Sequence, residues 1–187
     1  MSAVVVSHAY DSNATSAWYP SVRARLEPLG HTVSVPDLPE PQAPRPAAWV
    51  GGLAERTSAA PPGETVLVGH SIGGVNVLRF LEQHPLDRGV FGGVVLVATP
   101  AHEVGYAALA EFFDGPFDWT RIARAARRFS VLVAADDPVL TADPFEHAAI
   151  FVRELNATAT VLPHGGHFME ADLPGLIPLV RDSFPGR

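Results

Sequence analysis

Six short runs rich in Val and Leu, separated by stretches of helical periodicity, constrain this chain more than any other feature. The runs are AVVVSH (3–8), HTVSVP (31–36), ETVLVG (64–69), FGGVVLVA (91–98), FSVLVAA (129–135) and ATVLP (159–163). Around them lie SAWYPSVRARLEPL, IGGVNVLRFLEQH, WTRIARAARR, PFEHAAIFVREL and LPGLIPLVRDSF, with apolar residues at helical spacing. Strands this apolar, with little polar alternation, are covered on both faces, and helices between them make right-handed crossovers between parallel strands. The expected fold class is therefore α/β: a mostly parallel six-stranded sheet with helices on both faces.

With 187 residues, 47% of them hydrophobic, the chain is long enough for a substantial core, and one domain over 1–187 is expected. The proline-dense PDLPEPQAPRPAAW (36–49) reads as a surface connection into a short helix near 47–58. As a domain linker it fails, because the roughly 45 residues before Pro46 are too few for a core of their own. A second irregular stretch, TPAHEVGYAALAEFFDGPFDW (99–119), carries Tyr106, Phe112, Phe113, Phe117 and Trp119. Packing is the main expectation for these rings, with a minor share left to wall a pocket or form a short lid.

Composition removes several chemistries. The net charge is −7 and no basic stripe is interleaved with aromatics, so no nucleic-acid partner is expected. RIARAARRF (121–129) reads as a solvated helix face flanked by core Ile122, Ala125 and Phe129. There is no cysteine, which excludes disulfides, thiolate metal sites and a Cys nucleophile. All 13 basic residues are arginine, which excludes a P-loop lysine, a Schiff-base lysine and a Ser-Lys dyad. The N-terminal stretch has no basic n-region, and no run approaches the roughly 20 apolar residues of a membrane span. A soluble cytoplasmic protein with no membrane partner and no cofactor is expected, and Ala, Pro and Arg excess without lysine fits a GC-rich bacterial genome.

Gly69-His70-Ser71-Ile72-Gly73 matches G-x-S-x-G. With 16 Gly and 10 Ser in the chain, chance supplies that string about 0.07 times per sequence of this composition, so its context matters more than the match. It sits between a β-rich run and a helical one, where a sharp turn strains the serine and excludes a Cβ two residues to either side. The helix start then directs backbone amides, above all that of Ile72, toward an anion beside Ser71. Gly74 is expected to let that helix approach the sheet. A dinucleotide loop is a poor alternative, because the spacing is not G-x-G-x-x-G.

A serine needs a base, and the base needs an orienting group. FSVLVAADDPVL ends in Asp136 and Asp137, and ATVLPHGGHFMEAD contains His164 and His167, giving the order Ser, Asp, His expected of an α/β-hydrolase. A metal site from His164 and His167 is a weak alternative.

GHSIGG, FDWTRI, VLVAADDPVL and GGHF at these separations resemble the small serine-hydrolase family of retinoblastoma-binding protein nine and its bacterial relatives, over nearly the full length. The resemblance implies a compact α/β-hydrolase with sheet order 2-1-3-4-5-6 and little or no cap. It implies Ser71 as nucleophile, Asp137 as acid and His167 as base, with Asp136 the local competitor and reading as a turn cap. It also implies an oxyanion hole from the amides of Ile72 and a residue of the loop after the first strand. Tyr10 is the first candidate there and Ala9 the second, since this chain has His8-Ala9 where many relatives have His-Gly. His8, His70 and Trp18 are expected to be structural. His31, His84, His102 and His147 have no motif context. The L-x-C-x-E interaction of the animal protein is not carried over, because there is no cysteine.

The expected function is hydrolysis of a small-molecule acyl substrate, an ester or else an amide or thioester, in a pocket lined by Tyr10, Phe112, Phe113, Val139 and Phe168. Two rivals stand beside it: a ligand- or partner-binding module on a hydrolase scaffold, and the same triad used for perhydrolysis or carbonyl addition.

Overall fold

The computed structural model describes residues 2–140 and 143–184. Each apolar run supplies a strand: β1 (Ala3–Ser7), β2 (Thr32–Ser34), β3 (Thr65–His70), β4 (Gly93–Val97), β5 (Phe129–Ala134) and β6 (Thr158–Leu162). They form one sheet in the order β2-β1-β3-β4-β5-β6, with every neighbouring pair parallel. Among the described residues six α-helices complete the framework: α1 (Tyr19–Leu26), α2 (Pro46–Thr57), α3 (Ile72–Gln83), α4 (Trp119–Ala125), α5 (Pro144–Leu155) and α6 (Leu176–Asp182).

Alternate strand residues face opposite layers, as a period of two requires. Val4, Val6, Val66, Val68, Val95, Val97 and Leu132 pack against Trp18, α1 and α6. Val5, Leu67, Val94, Leu96, Val131 and Val133 pack against α2, α3, α4 and α5. Each fully buried Val or Leu contributes about 1.5–3 kcal/mol, so the four central strands carry much of the core's stabilisation. The edges are slighter: β2 has three residues, and Val161 in β6 is exposed.

Local sequence fixes the helix ends. Asp143 caps α5 by accepting from the Phe145 N–H, and Asn156 ends it in the left-handed region. Pro46 opens α2 at the position that lacks a partner for its amide anyway. RIARAARR is helical only through Ala125, with Ile122 and Ala125 buried, and Phe129 already belongs to β5. Among the described residues no helix is long and apolar enough to cross a membrane.

From β1 the chain leaves toward β2 on one side, and β3 lies on the other. Crossovers therefore part between β1 and β3, and a crevice opens at their carboxyl ends. The loop after β1 and the turn after β3 meet there. The segment after β4, including a 3-10 helix at Ala107–Phe113, packs over the same end through Leu109 and Phe112 against Leu38, Trp49, Ile72 and Val75.

Candidate active site

Between the last residue of β3 and the first of α3 stands Ser71, at φ +55° and ψ −126°. A non-glycine residue there carries about 1–3 kcal/mol of strain, so the surroundings must impose it. They do so with two bonds: the Ser71 N–H donates to Val97 O at 2.8 Å, and the Gly74 N–H donates to Ser71 O at 2.9 Å. Steric demand explains the flanking glycines. A Cβ on Gly69 would lie 2.2 Å from Gly74 Cα, and one on Gly73 would lie 2.1 Å from Ser7 O. Gly74 lies directly against the Thr99 side chain, which is the close helix-to-sheet approach expected of it.

Ser71 Oγ is 2.8 Å from His167 Nε2. His167 Nδ1 is 2.9 Å from Asp137 Oδ2 and 3.1 Å from Asp137 Oδ1. The Asp137 side chain is fully buried, and its Oδ1 also accepts the N–H groups of Val139 at 2.8 Å and Leu140 at 3.2 Å. Those amides fix the carboxylate, and the carboxylate orients the imidazole. The three side chains follow the carboxyl ends of β3, β5 and β6, all at the same end of the parallel sheet.

The neighbouring carboxylate has a different task. Asp136 Oδ1 accepts from the Gly166 N–H at 2.8 Å and the Gly165 N–H at 3.0 Å, and its Oδ2 is 3.2 Å from His164 Nδ1. The Gly166 bond, followed by those to His164 and Gly165, holds its carboxyl below the ordinary range. Asp136 thus caps the turn that carries His167, and His164 is an exposed partner of that cap.

Ile72 follows Ser71 directly, and Tyr10 lines the same cavity as Ser71. Ile72 opens α3, so its N–H has no carbonyl within the helix to bond. In the loop after β1, the Leu38 N–H donates to His8 Nε2 at 3.0 Å, which leaves the proton on His8 Nδ1, and that group donates to Ala9 O at 2.8 Å. Burial holds His8 below the usual imidazole range, consistent with this neutral form. A trans peptide points its N–H opposite its C=O, so fixing Ala9 O also fixes the direction of the Tyr10 N–H. The other candidate amide, that of Ala9, is already donated to Tyr19 Oη at 2.9 Å.

A cavity of about 120 Å³ adjoins Ser71 and His167, lined by Ala9, Tyr10, Pro100, Val104, Tyr106, Leu109, Val139 and Met169. Of the five residues expected to line the pocket, Tyr10 and Val139 do. Phe112 is fully buried against Trp49 and Ile72, and Phe113 packs beside the same cluster. Phe168 lies at φ +52°, and its ring folds against Gly165 toward the layer of α1 and α6. Pro100, Val104, Leu109 and Met169 take their places. Three of those four sit in the irregular 99–119 stretch, whose position after β4 was the available signal. His70 and Trp18 are fully buried on the α1 side of the sheet, with ring centroids 5.4 Å apart.

The serine hydrolase family profile matches residues 4–182. The chain is 31% identical over 180 residues to the hydrolase YdeN of Bacillus subtilis strain 168, covering 96% of this chain and 92% of that one. It is 25% identical over 171 residues to the serine hydrolase RBBP9 of Rattus norvegicus, covering 90% and 87%. The crystal structure of the B. subtilis ydeN gene product superposes with a TM-score of 0.91 at 29% identity, with both chains fully covered.

Proposed function

Since the chain belongs to the serine hydrolase family, we propose that it is a carboxylesterase-like enzyme that cleaves short, neutral acyl esters through an acyl-enzyme on Ser71. The observation that carries this reading is the continuous contact from Ser71 Oγ to His167 at 2.8 Å and from His167 to buried Asp137 at 2.9 Å.

In the first step His167 Nε2 removes the Ser71 proton as Oγ attacks the ester carbonyl. The Ile72 and Tyr10 amides receive the charge that develops on the carbonyl oxygen. His167 then gives the proton to the departing alcohol. Water, deprotonated by the same nitrogen, attacks the acyl-serine, and His167 returns that proton to Ser71 Oγ as the acid is released. Asp137 keeps the Nδ1 proton in place and steadies the imidazolium throughout. No step requires a cofactor, and all the groups lie within one domain.

Cavity size and lining support the substrate class. About 120 Å³ is roughly four waters' worth of space, enough for a short acyl chain. Among the described residues, its lining apart from His167 is without ionisable acid or base groups other than tyrosine, so the ammonium of an aminoacyl substrate meets no carboxylate there. Neutral short-chain esters fit that lining better than aminoacyl amides.

A fluorophosphonate probe and a graded panel of acyl esters and aminoacyl amides test the proposal. Labelling of the wild type, its loss in Ser71→Ala and turnover of short esters are expected. Undiminished labelling of Ser71→Ala would remove the nucleophile assignment, and a folded protein with neither labelling nor turnover would favour a binding module.

A further inference from the structure

Behind Ser71, on the α1 side of the sheet, a line of hydrogen bonds joins the two loops that the reaction must keep in register. The Ala9 N–H donates to Tyr19 Oη at 2.9 Å. Tyr19 Oη is 2.8 Å from His70 Nδ1, and His70 Nε2 is 2.9 Å from the backbone carbonyl of His167. Tyr19 and His70 are both fully buried.

Donor and acceptor roles along this line follow from chemistry. A carbonyl oxygen only accepts, so His70 Nε2 carries a proton and donates it to His167 O. Burial first, and the neighbouring His167 second, push the His70 imidazole down to about 3, so it is neutral and its Nδ1 is bare. Tyr19 must therefore donate its hydroxyl proton to Nδ1, and burial raises that phenol, which keeps the proton on it. The Tyr19 oxygen is then free to accept from Ala9. One arrangement satisfies every group.

Its two ends lie on the reaction machinery. Ala9 precedes the amide assigned to the oxyanion, and His167 is the base. We propose that Tyr19 and His70 are positioning residues, which tie the oxyanion loop to the base loop across the back of the Ser71 elbow. The proposal rests on the serine-hydrolase reading above. Neither side chain touches substrate. Their contribution is to hold the Tyr10 amide and the His167 ring at a fixed separation, where misplacement by about 1 Å costs up to roughly a hundredfold in rate.

The full-length protein tests this with Tyr19→Phe, His70→Gln and the double variant, each assayed on a short acyl ester. Rates are divided by the number of sites titrated with a fluorophosphonate, so that unfolded protein does not count. Val22→Ala, a buried change one turn along α1, controls for loss of stability alone. Each single variant is expected to lose about tenfold or more in kcat per titrated site, with KM within about twofold, because ground-state binding is untouched. The double variant should be no slower than the worse single one within about twofold, since both break one line. Val22→Ala should lower the melting temperature and keep its kcat per site. A Tyr19→Phe enzyme as fast per site as the wild type would overturn the proposal, as would multiplicative losses in the double variant or an equal loss in Val22→Ala. Should His70→Gln not fold, Tyr19→Phe decides alone, because it removes one oxygen from an otherwise intact ring. A wild type that neither labels nor turns over would instead overturn the nucleophile reading, and this proposal with it.

Discussion

The loops on the chemical side of Ser71 and the wall of the adjoining cavity are held in opposite ways. On the chemical side, His8 grips Ala9 O, Asp136 caps Gly165 and Gly166, and backbone amides grip Asp137. On the cavity side, Leu109 packs in an apolar cluster, buried Val104 lines the wall, and Tyr106 and Met169 stand 45% and 51% exposed at the rim. Hydrogen bonds favour near-linear donor angles and so set direction, whereas apolar packing fixes mainly volume. Under the proposed function, reaction geometry and acyl selectivity are separable, and substitutions on the two sides should differ in kind.

Asp137 offers the largest effect. Asp137→Asn presents an amide N–H to His167 Nδ1 and stabilises the wrong tautomer, and a loss of about 10³–10⁴ in kcat is expected at neutral pH. Asp136→Asn keeps an oxygen for Gly165 and Gly166, so a loss below about tenfold is expected in the same ester assay. A larger loss at Asp136 would reverse the roles of the two carboxylates.

Glycines make the same contrast in stability. A Cβ at Gly73 meets Ser7 O at 2.1 Å and His8 O at 2.4 Å, both backbone atoms that cannot move aside. Gly73→Ala should cost at least about 3 kcal/mol in chemical denaturation. At Gly105, on the cavity side, φ is +86° but no atom lies within 4 Å of the added carbon. Gly105→Ala should cost about 1 kcal/mol, the left-handed penalty alone. Equal losses would mean that both sides are packed alike.

Buried titration distinguishes the sides more gently. His70 has an ordinary pKa of 6.5 and is held at about 3 in the folded chain. Between those values the unfolded chain binds a proton that the folded one does not. Its contribution to stability is complete above about pH 6.5 and falls as the pH drops toward 3, by at most about 1.4 kcal/mol per pH unit. Burial of His8 acts in the same direction. Denaturation midpoints from pH 7 to pH 4 should fall less steeply in His70→Gln than in the wild type, and parallel slopes would show that His70 is not held neutral.

The two sides also differ in how much of them was legible in the sequence. Strand positions follow from Val-rich runs, and the sheet order follows from the resemblance. Ser71 stood out through its G-x-S-x-G turn, and Asp137 and His167 through the resemblance; the structure brings the three side chains into hydrogen-bond contact. The cavity wall was not legible. Phe112 and Phe168 are large apolar rings beside the right motifs, but any sufficiently apolar side chain can serve a core or a wall. What decides between them is backbone direction: the φ of +52° at Phe168 turns its ring to the far face of the sheet. The Tyr19–His70 contact was equally hidden, since 51 residues separate its partners and neither belongs to a spacing motif with the other.

Val104→Ala tests the separation itself. Val104 is 7% exposed and lines the cavity, so truncation enlarges that cavity without removing a hydrogen bond. Each methylene newly accommodated is worth about 0.8 kcal/mol, so kcat/KM for a hexanoyl ester relative to an acetyl ester should rise about three- to tenfold. The fluorophosphonate labelling rate, which reports how well Ser71, His167 and the oxyanion amides are aligned, should stay within about twofold. A parallel fall in labelling would mean that the apolar wall also sets the alignment of Ser71, because packing would then be transmitting position as well as volume.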